Sequence, residues 1–427
     1  MARVAQAVSS VYPLGSRLNE AGRLEVGGCD VAELAREVGT PAYVVAEDDL
    51  RARARAFAEA MRAGNEDSEV LFASKAFPCT AVYRLFAEEG LSCDVASGGE
   101  LHMALAAGFG PERIYLHGNA KSDRELREAV EAGVGHVVVD NLEEIGRLAA
   151  LLDGRSIARE AGGQPVLVRV TPGIKPSTHD FIATGQLDSK FGLPPDDARA
   201  AIERIEATPG LELRGLHMHI GSQIFELESF RKAIEAISHL GDFPVYDLGG
   251  GLGVAYTAGD EPPSIEDYVE AKVGAVHEVL GPGKRLLIEP GRALVANSTV
   301  TVYTVESVKR SLSTYVAVDG GMSDNLRPML YGSVYEAALV DRLTPGGELC
   351  HVAGKHCESG DVIVRDVHLH DPRPGDLLVT PATGAYGHAL ANNYNGVPRP
   401  PVVFCKDGDA RVVVRRETYE DLTARDE

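Results

Sequence analysis

Residues 69–78 read EVLFASKAFP. Val70, Leu71, Phe72, Ala73, Ala76 and Phe77 suit a strand covered on both faces. Lys75 interrupts the run, and lysine is seldom buried without a partner. A strand end whose lysine reaches out to water explains one such residue at least as well as a functional amine does. The rest of the chain has to decide.

From Leu71 onward, apolar runs alternate with amphipathic helical stretches. LFASK leads to TAVYRLFAEEG, LSCDV to SGGELHMALAAGFG, and RIYLHGN to SDRELREAVEAG. In the last of these, Ser122 and Glu125 have capping-box spacing, and Gly133 is placed to stop the helix. HVVVD precedes NLEEIGRLAALL, where Asn141 and Glu144 repeat the cap and Ile145, Leu148 and Leu152 share a face. PVLVRVTPG, LRGLHMHIGSQ, PVYDLGGGLG and RLLIEPGR continue the series. Strands ending near Lys75, Asp94, Gly118, Asp140, Thr171, His219, Gly249 and Glu289 predict an α/β fold, a (β/α)8 barrel. The runner-up is an open doubly wound sheet, which alternates in the same way.

After Arg292 the texture changes. STVTVYTVESVKR, TYVAVDGG, DVIVRDVHL, GDLLVTPATG and PPVVFCKDGDARVVVRRET are β-rich, with turn signals between them. The expected organisation is a segment 1–44 joining the β domain, a barrel over 45–291, and an antiparallel β domain over 292–427.

The chain has 427 residues, too many for one ordinary domain, and a formal charge of −21. So acidic a surface argues against nucleic-acid backbones and anionic membranes. The N-terminus has no apolar core of signal-peptide length, and no run is long and apolar enough to span a bilayer. The six cysteines are scattered, with no C-x-x-C pair, so neither a disulfide framework nor a structural zinc site is expected. These features predict a reduced, cytoplasmic protein.

A barrel carries its chemistry at the C-terminal ends of its strands. Lys75 then points into the mouth, where burial would lower its pKa by up to about 3–5 units. His217 and His219, two apart, share one side of a strand. They suit a metal, or one core histidine beside one ring stacked on a flat ligand. The turn DLGGGLG can cradle a phosphate with bare amides, but it lacks the spacing of a dinucleotide fingerprint. Glu289 and Arg292 of IEPGR are a salt bridge, or a carboxylate for a ring nitrogen and a guanidinium for an anion. Cys357 beside Glu358 is a buried structural cysteine, or a proton donor. Arg327, Tyr331 and Tyr386 are each unremarkable alone. Together these residues describe a flat cationic ring bearing a phosphate and an aldehyde, which is pyridoxal 5′-phosphate.

The segments SKAF, HMHIGSQI, DLGGGLG, IEPGR, DGGMSDNLRPMLYG, GKHCESGD and ATGAYG stand here in the order that resembles diaminopimelate decarboxylases, pyridoxal-phosphate enzymes of the alanine-racemase-like fold type III group. The likeness runs from about residue 25 to 423. It implies Lys75 as the lysine that takes the aldehyde, His219 on the ring face, and Glu289 on the pyridine nitrogen. Ser222 and Gly251 would lie by the phosphate, and Gly291 by the cofactor. Arg292, Arg327 and Tyr331 would hold the substrate's distal carboxylate end, with Arg292 also by the cofactor. Glu358 would read the distal amino group, Cys357 would protonate Cα, and Tyr386 would touch cofactor and substrate. Cys357 and Glu358 would come from the second subunit of a homodimer. HALANNYN after Tyr386 departs from the more Ser- and Met-rich stretch common in that family.

The expected reaction is decarboxylation of meso-2,6-diaminopimelate to L-lysine. A related decarboxylase acting on another amino acid keeps most of the same letters. A metal-dependent barrel hydrolase would use His217 and His219 instead; the expectation here is no metal. A catalytically dead relative should have lost Lys75 or Cys357, and a single-domain pyridoxal-phosphate protein lacks residues 292–427. The long stretch 175–193, which contains Lys190, is a candidate lid.

Overall fold

The computed structural model describes residues 6–152, 163–174, 185, 189–344 and 346–427. They fall into two compact units, one of residues 53–253 and 262–292, the other of 1–52, 254–261 and 293–427.

The first unit is a closed barrel of eight parallel strands, so the open-sheet alternative is excluded. They are β1 (Ser68–Ala73), β2 (Ser92–Val95), β3 (Ile114–Leu116), β4 (His136–Val139), β5 (Gln164–Val170), β6 (Leu211–Met218), β7 (Val245–Asp247) and β8 (Arg285–Ile288). Closure is made where Leu286, Leu287 and Ile288 of β8 pair with Ser68, Glu69 and Val70 of β1. Leu71, Tyr115, Val138, Leu167, Val245 and Leu287 form one buried cluster. They come from strands on opposite sides of the ring, so they meet only across its middle; the barrel is a filled core with a working mouth.

The helices between the strands begin as their caps dictate. Ser122 Oγ accepts from Glu125 N at 3.2 Å, Glu125 answers to Ser122 N at 2.9 Å, and Gly133 closes that helix at φ 77°. At the next helix, Asn141 Oδ1 accepts from Glu144 N at 2.9 Å. Glu144 itself turns to the buried Lys121 ammonium, 2.8 Å away, where the carboxylate offsets an interior charge.

One local expectation is corrected. β1 stops at Ala73, and Lys75 sits in the single 3-10 turn Ser74–Ala76 that follows. The residue before a proline avoids helical backbone, and Phe77 precedes Pro78, so the turn goes no further. Lys75 is exposed while Ser74 and Ala76 are buried. The burial expected of it from sequence is therefore not what the structure provides.

The second unit is built on a sheet running Val362–Leu369, Glu348–Ala353, Thr314–Val318, Thr299–Arg310, Ala42–Ala46, Val402–Lys406, Asp409–Val414. The sheet is mixed, where an antiparallel one is expected from sequence. Ala42–Ala46 runs parallel to Val402–Lys406, and Thr314–Val318 runs parallel to Glu348–Ala353. Each parallel pair joins strands separated by intervening chain, which tight-turn signals cannot reveal. The N-terminal segment does join this unit. Leu24, Val26, Val31 and Leu34 share a buried cluster with Val44, Val300, Val302, Val379 and Val403. Among the described residues, no helix is long and apolar enough to cross a membrane.

Candidate active site

The C-terminal ends of the barrel strands bring four buried polar side chains together. His117 follows β3, His217 lies in β6, Asp247 ends β7 and Glu289 follows β8. One ligand-type atom from each falls within 4.8 Å of all the others. His217 Nε2 stands 3.2 Å from Glu289 Oε2, and His117 Nε2 stands 2.8 Å from Oε1. The two imidazoles thus bracket the carboxylate, one at each oxygen.

Charge is divided sharply in this cluster. Burial alone would raise the Glu289 carboxyl, but His117 and then His217 outweigh it and hold the group well below the usual carboxylate range. Asp247 goes the other way: burial first, then the Glu289 charge, push it well above that range. The environment thus biases one carboxyl toward its ionised form and its neighbour toward its protonated form. Burial also pushes His217 down to about 4, so its ring is neutral near pH 7. Asp94, in β2 nearby, is pushed up to about 6 by burial, with the Lys75 ammonium pulling it back.

His217 and His219 part company. His217 goes to Glu289, whereas His219 Nδ1 accepts the Gly250 N–H at 3.2 Å. That acceptor role requires the His219 proton on Nε2. Gly249 has φ 61°, and a Cβ on Gly250 would meet the Glu289 carbonyl oxygen at 2.3 Å. The turn after β7 is therefore glycine because its backbone lies directly against that of residue 289. Glu289 and Arg292 do not pair in a salt bridge of their own. The Arg292 guanidinium instead donates to Ser222 Oγ, from Nη2 at 3.0 Å and Nε at 3.1 Å. A Cβ on Gly291 would meet Ala73 Cβ at 2.9 Å and Ala76 Cβ at 3.2 Å, which sets this segment against the Lys75 turn.

Lys75, His219, Ser222, Gly251, Glu289, Gly291 and Arg292 all belong to the barrel unit. Arg327, Tyr331, Cys357, Glu358 and Tyr386 belong to the other. Arg327 is buried, with its guanidinium over the Tyr256 ring at 4.5 Å and a hydrogen bond to the Tyr335 hydroxyl. Tyr331 ends the short helix Arg327–Tyr331. Tyr386 adopts φ 62°, a left-handed conformation that costs a tyrosine energy and persists only when its surroundings enforce it. Cys357 is exposed and the other five cysteines are buried, so the structural-cysteine reading suits those five and not Cys357. Its loop is firmly tied: Cys357 N donates to Asn395 Oδ1 at 2.9 Å, and His356 Nδ1 meets Asp361 Oδ2 at 2.8 Å. Glu358 is exposed beside it.

Sequence reasoning passed over His117, Asp94 and Asp247 as site residues, although YLHGN, SCDVA and YDLGG each carry them at a strand end. It also read 388–395 only as a departure, whereas Asn395 anchors Cys357 and Asn392 Nδ2 donates to the Met322 carbonyl at 3.2 Å. Of the lid candidate 175–193, residues 175–184 and 186–188 lie outside the described residues. Lys190 stands with Nζ 4.9 Å from the Phe191 ring centre.

A filled (β/α)8 barrel whose mouth combines a buried carboxyl held low, a glycine turn and an amine has the parts to hold an electron-withdrawing cofactor. Residues 47–296 match the family described as pyridoxal-dependent decarboxylase, pyridoxal binding domain. The chain is 49% identical to a diaminopimelate decarboxylase of Actinosynnema pretiosum subsp. auranticum, across 98% of this chain and 95% of that one. It is 46% identical to the Bacillus subtilis protein of that name, across 96% and 97%. The solved diaminopimelate decarboxylase of M. jannaschii in complex with L-lysine superposes with a TM-score of 0.87 at 31% identity, covering 95% of this chain and 96% of that one. The chain belongs to the pyridoxal-dependent decarboxylases, and within them to the diaminopimelate decarboxylase family.

Proposed function

We propose that the chain removes CO2 from meso-2,6-diaminopimelate to give L-lysine, with pyridoxal 5′-phosphate held in the mouth of the barrel. The observation that carries this reading is the buried Glu289 at the barrel mouth, its carboxyl held well below the usual range by two imidazoles. A cation belongs there, and a protonated pyridine nitrogen is a flat one. The remaining donors also fit: Ser222 and Arg292 suit a phosphate, and the turn 249–251 has no room for side chains. When bound, this cofactor draws electrons from the substrate's Cα, which lets the carboxylate leave.

The chain's own residues then take the following roles. Lys75 supplies the amine that holds the aldehyde and yields it to the substrate's amine. Glu289 keeps a proton on the ring nitrogen; an arginine there would not, and would suit racemisation. His219, locked by Gly250, lies on the ring face. Ser222, Gly251, Gly291 and Arg292 take the phosphate, with Arg292 also near the substrate. Cys357 gives the proton to Cα, and Tyr386 touches cofactor and substrate. Arg327 and Tyr331 hold the distal carboxylate, and Glu358 the distal ammonium. A substrate with an amino acid at each end satisfies both, whereas ornithine, lysine and arginine lack the second carboxylate. The exposure of Cys357 and Glu358 in the single chain supports a homodimer in which each subunit lends them to its partner. The acidic surface and thiol-only cysteines support a cytoplasmic setting.

CO2 release measured across candidate amino acids tests the reading. Diaminopimelate should be decarboxylated far faster than ornithine, lysine or arginine. Faster release from any of those three would overturn the substrate assignment.

A further inference from the structure

Lys272 is fully buried on the helix Ile265–Val279, and none of the roles above uses it. Its ammonium contacts three consecutive backbone carbonyls, those of Leu248 at 2.7 Å, Gly249 at 2.8 Å and Gly250 at 3.0 Å. The Tyr268 hydroxyl, one helical turn earlier, lies 2.6 Å from the same nitrogen and 3.3 Å from the Gly249 carbonyl. The Tyr268 and Phe230 rings flank the ammonium, each with its centre 4.5 Å away. A lone amine in such a place is expensive unless its donors are all used, and here its three N–H groups face four acceptors, the three carbonyls and the Tyr268 hydroxyl.

The peptide unit is planar and trans, so a carbonyl and the N–H that follows it point in opposite directions. Drawing the carbonyls of 248, 249 and 250 to one side turns the N–H groups of 249, 250 and 251 to the other. Two of these are accounted for: Gly249 donates to Asp247 Oδ1 at 2.9 Å, and Gly250 to His219 Nδ1. We propose that Lys272 is a positioning residue for the phosphate, gathering the carbonyls behind the glycine turn so that the Gly251 amide and the positive face of the turn are presented to the anion. This deepens the cofactor reading above and rests on it. Lys272 itself never touches the ligand. Burial pushes its pKa down to about 7, opposed by Asp247 and Glu289.

The test is a titration of the cofactor-free full-length chain with pyridoxal 5′-phosphate and, separately, with pyridoxal, which lacks the phosphate. Lys272→Met keeps the length of the side chain and removes every donor. It should weaken pyridoxal 5′-phosphate roughly tenfold to a hundredfold, the range of a hydrogen-bonded charge, and change pyridoxal far less. Inorganic phosphate should compete with the cofactor in the wild type and much more weakly in the variant. Lys272→Gln, with two donors, should fall between the two proteins, and it carries the same comparison if the methionine variant is not recovered folded. Equal loss for both ligands would mean that Lys272 only fills space, and unchanged affinity for both would mean that the turn does not need it. Either result overturns the assignment. A wild type that binds no pyridoxal 5′-phosphate would instead sink the cofactor reading, and this inference with it.

Discussion

Lys75 shows why a single residue is hard to read. From the run 69–78 alone, an exposed lysine at a strand end is as good an explanation as a functional one, and the structure does expose it. What changes its meaning is position, since Asp94 and the Gly291 backbone lie around the turn that carries it. Lys75→Ala should abolish the visible absorbance of the protein refolded with pyridoxal 5′-phosphate, and its activity; an unchanged spectrum would show that the amine is not the attachment point. Cys357→Ala should keep that absorbance and lose turnover by roughly 10²–10⁴-fold, the usual weight of a placed proton donor. Turnover close to wild type would remove Cys357 from that role. Arg327→Ala deletes a buried charge, and its expected effect is a KM for diaminopimelate raised roughly tenfold to a hundredfold. Steady-state kinetics against a monocarboxylate analogue are the check, because equal effects on both would mean that Arg327 acts through packing alone.

The strands were legible because period and punctuation are local properties. Each of the eight expected strand ends lies within a few residues of the end of a barrel strand. The cluster of His117, His217, Asp247 and Glu289 was not legible as a unit, because its members are scattered from 117 to 289 and meet only once the ring closes. Nor could sequence tell that Glu144 would cap with its backbone and spend its side chain on Lys121, since that choice depends on a buried cation from another strand end. The glycine turn is where element and site coincide. Gly250→Ala would place a Cβ 2.3 Å from the Glu289 carbonyl oxygen, and backbone cannot swing aside as a side-chain tip does. The variant should fold its barrel yet lose most affinity for the cofactor. Circular dichroism and an absorbance titration would show this, and full occupancy at wild-type concentrations would contradict it.

Across the whole molecule, several histidines are buried in the neutral state. Burial pushes His136, His217 and His388 each down to about 4. Their unfolded values lie near 6.5, so between about pH 6.5 and 4 the unfolded chain binds more protons than the native one. This contribution to stability is whole above pH 6.5 and is lost as the pH falls toward 4. By itself it lowers the thermal midpoint across that window, opposed by Asp94 and Asp324, whose carboxyls burial pushes up to about 6 and about 7, so that the native chain there holds protons the unfolded chain has lost. His136 stacks on Tyr115 with ring centres 4.5 Å apart, away from the site cluster. His136→Gln should flatten part of the slope, and an unaltered slope would assign the acid sensitivity to other groups.

The strand Ala42–Ala46 lies between Thr299–Arg310 and Val402–Lys406. A ribosome delivers this strand long before either neighbour, and the barrel segments emerge in between. During synthesis, then, an apolar ribbon near the start of the chain must wait, unmated on both edges, while the ring behind it closes. Its second edge is mated only once Val402–Lys406 is made, so a message cut short before codon 400 leaves that ribbon half bare and prone to joining a neighbouring chain.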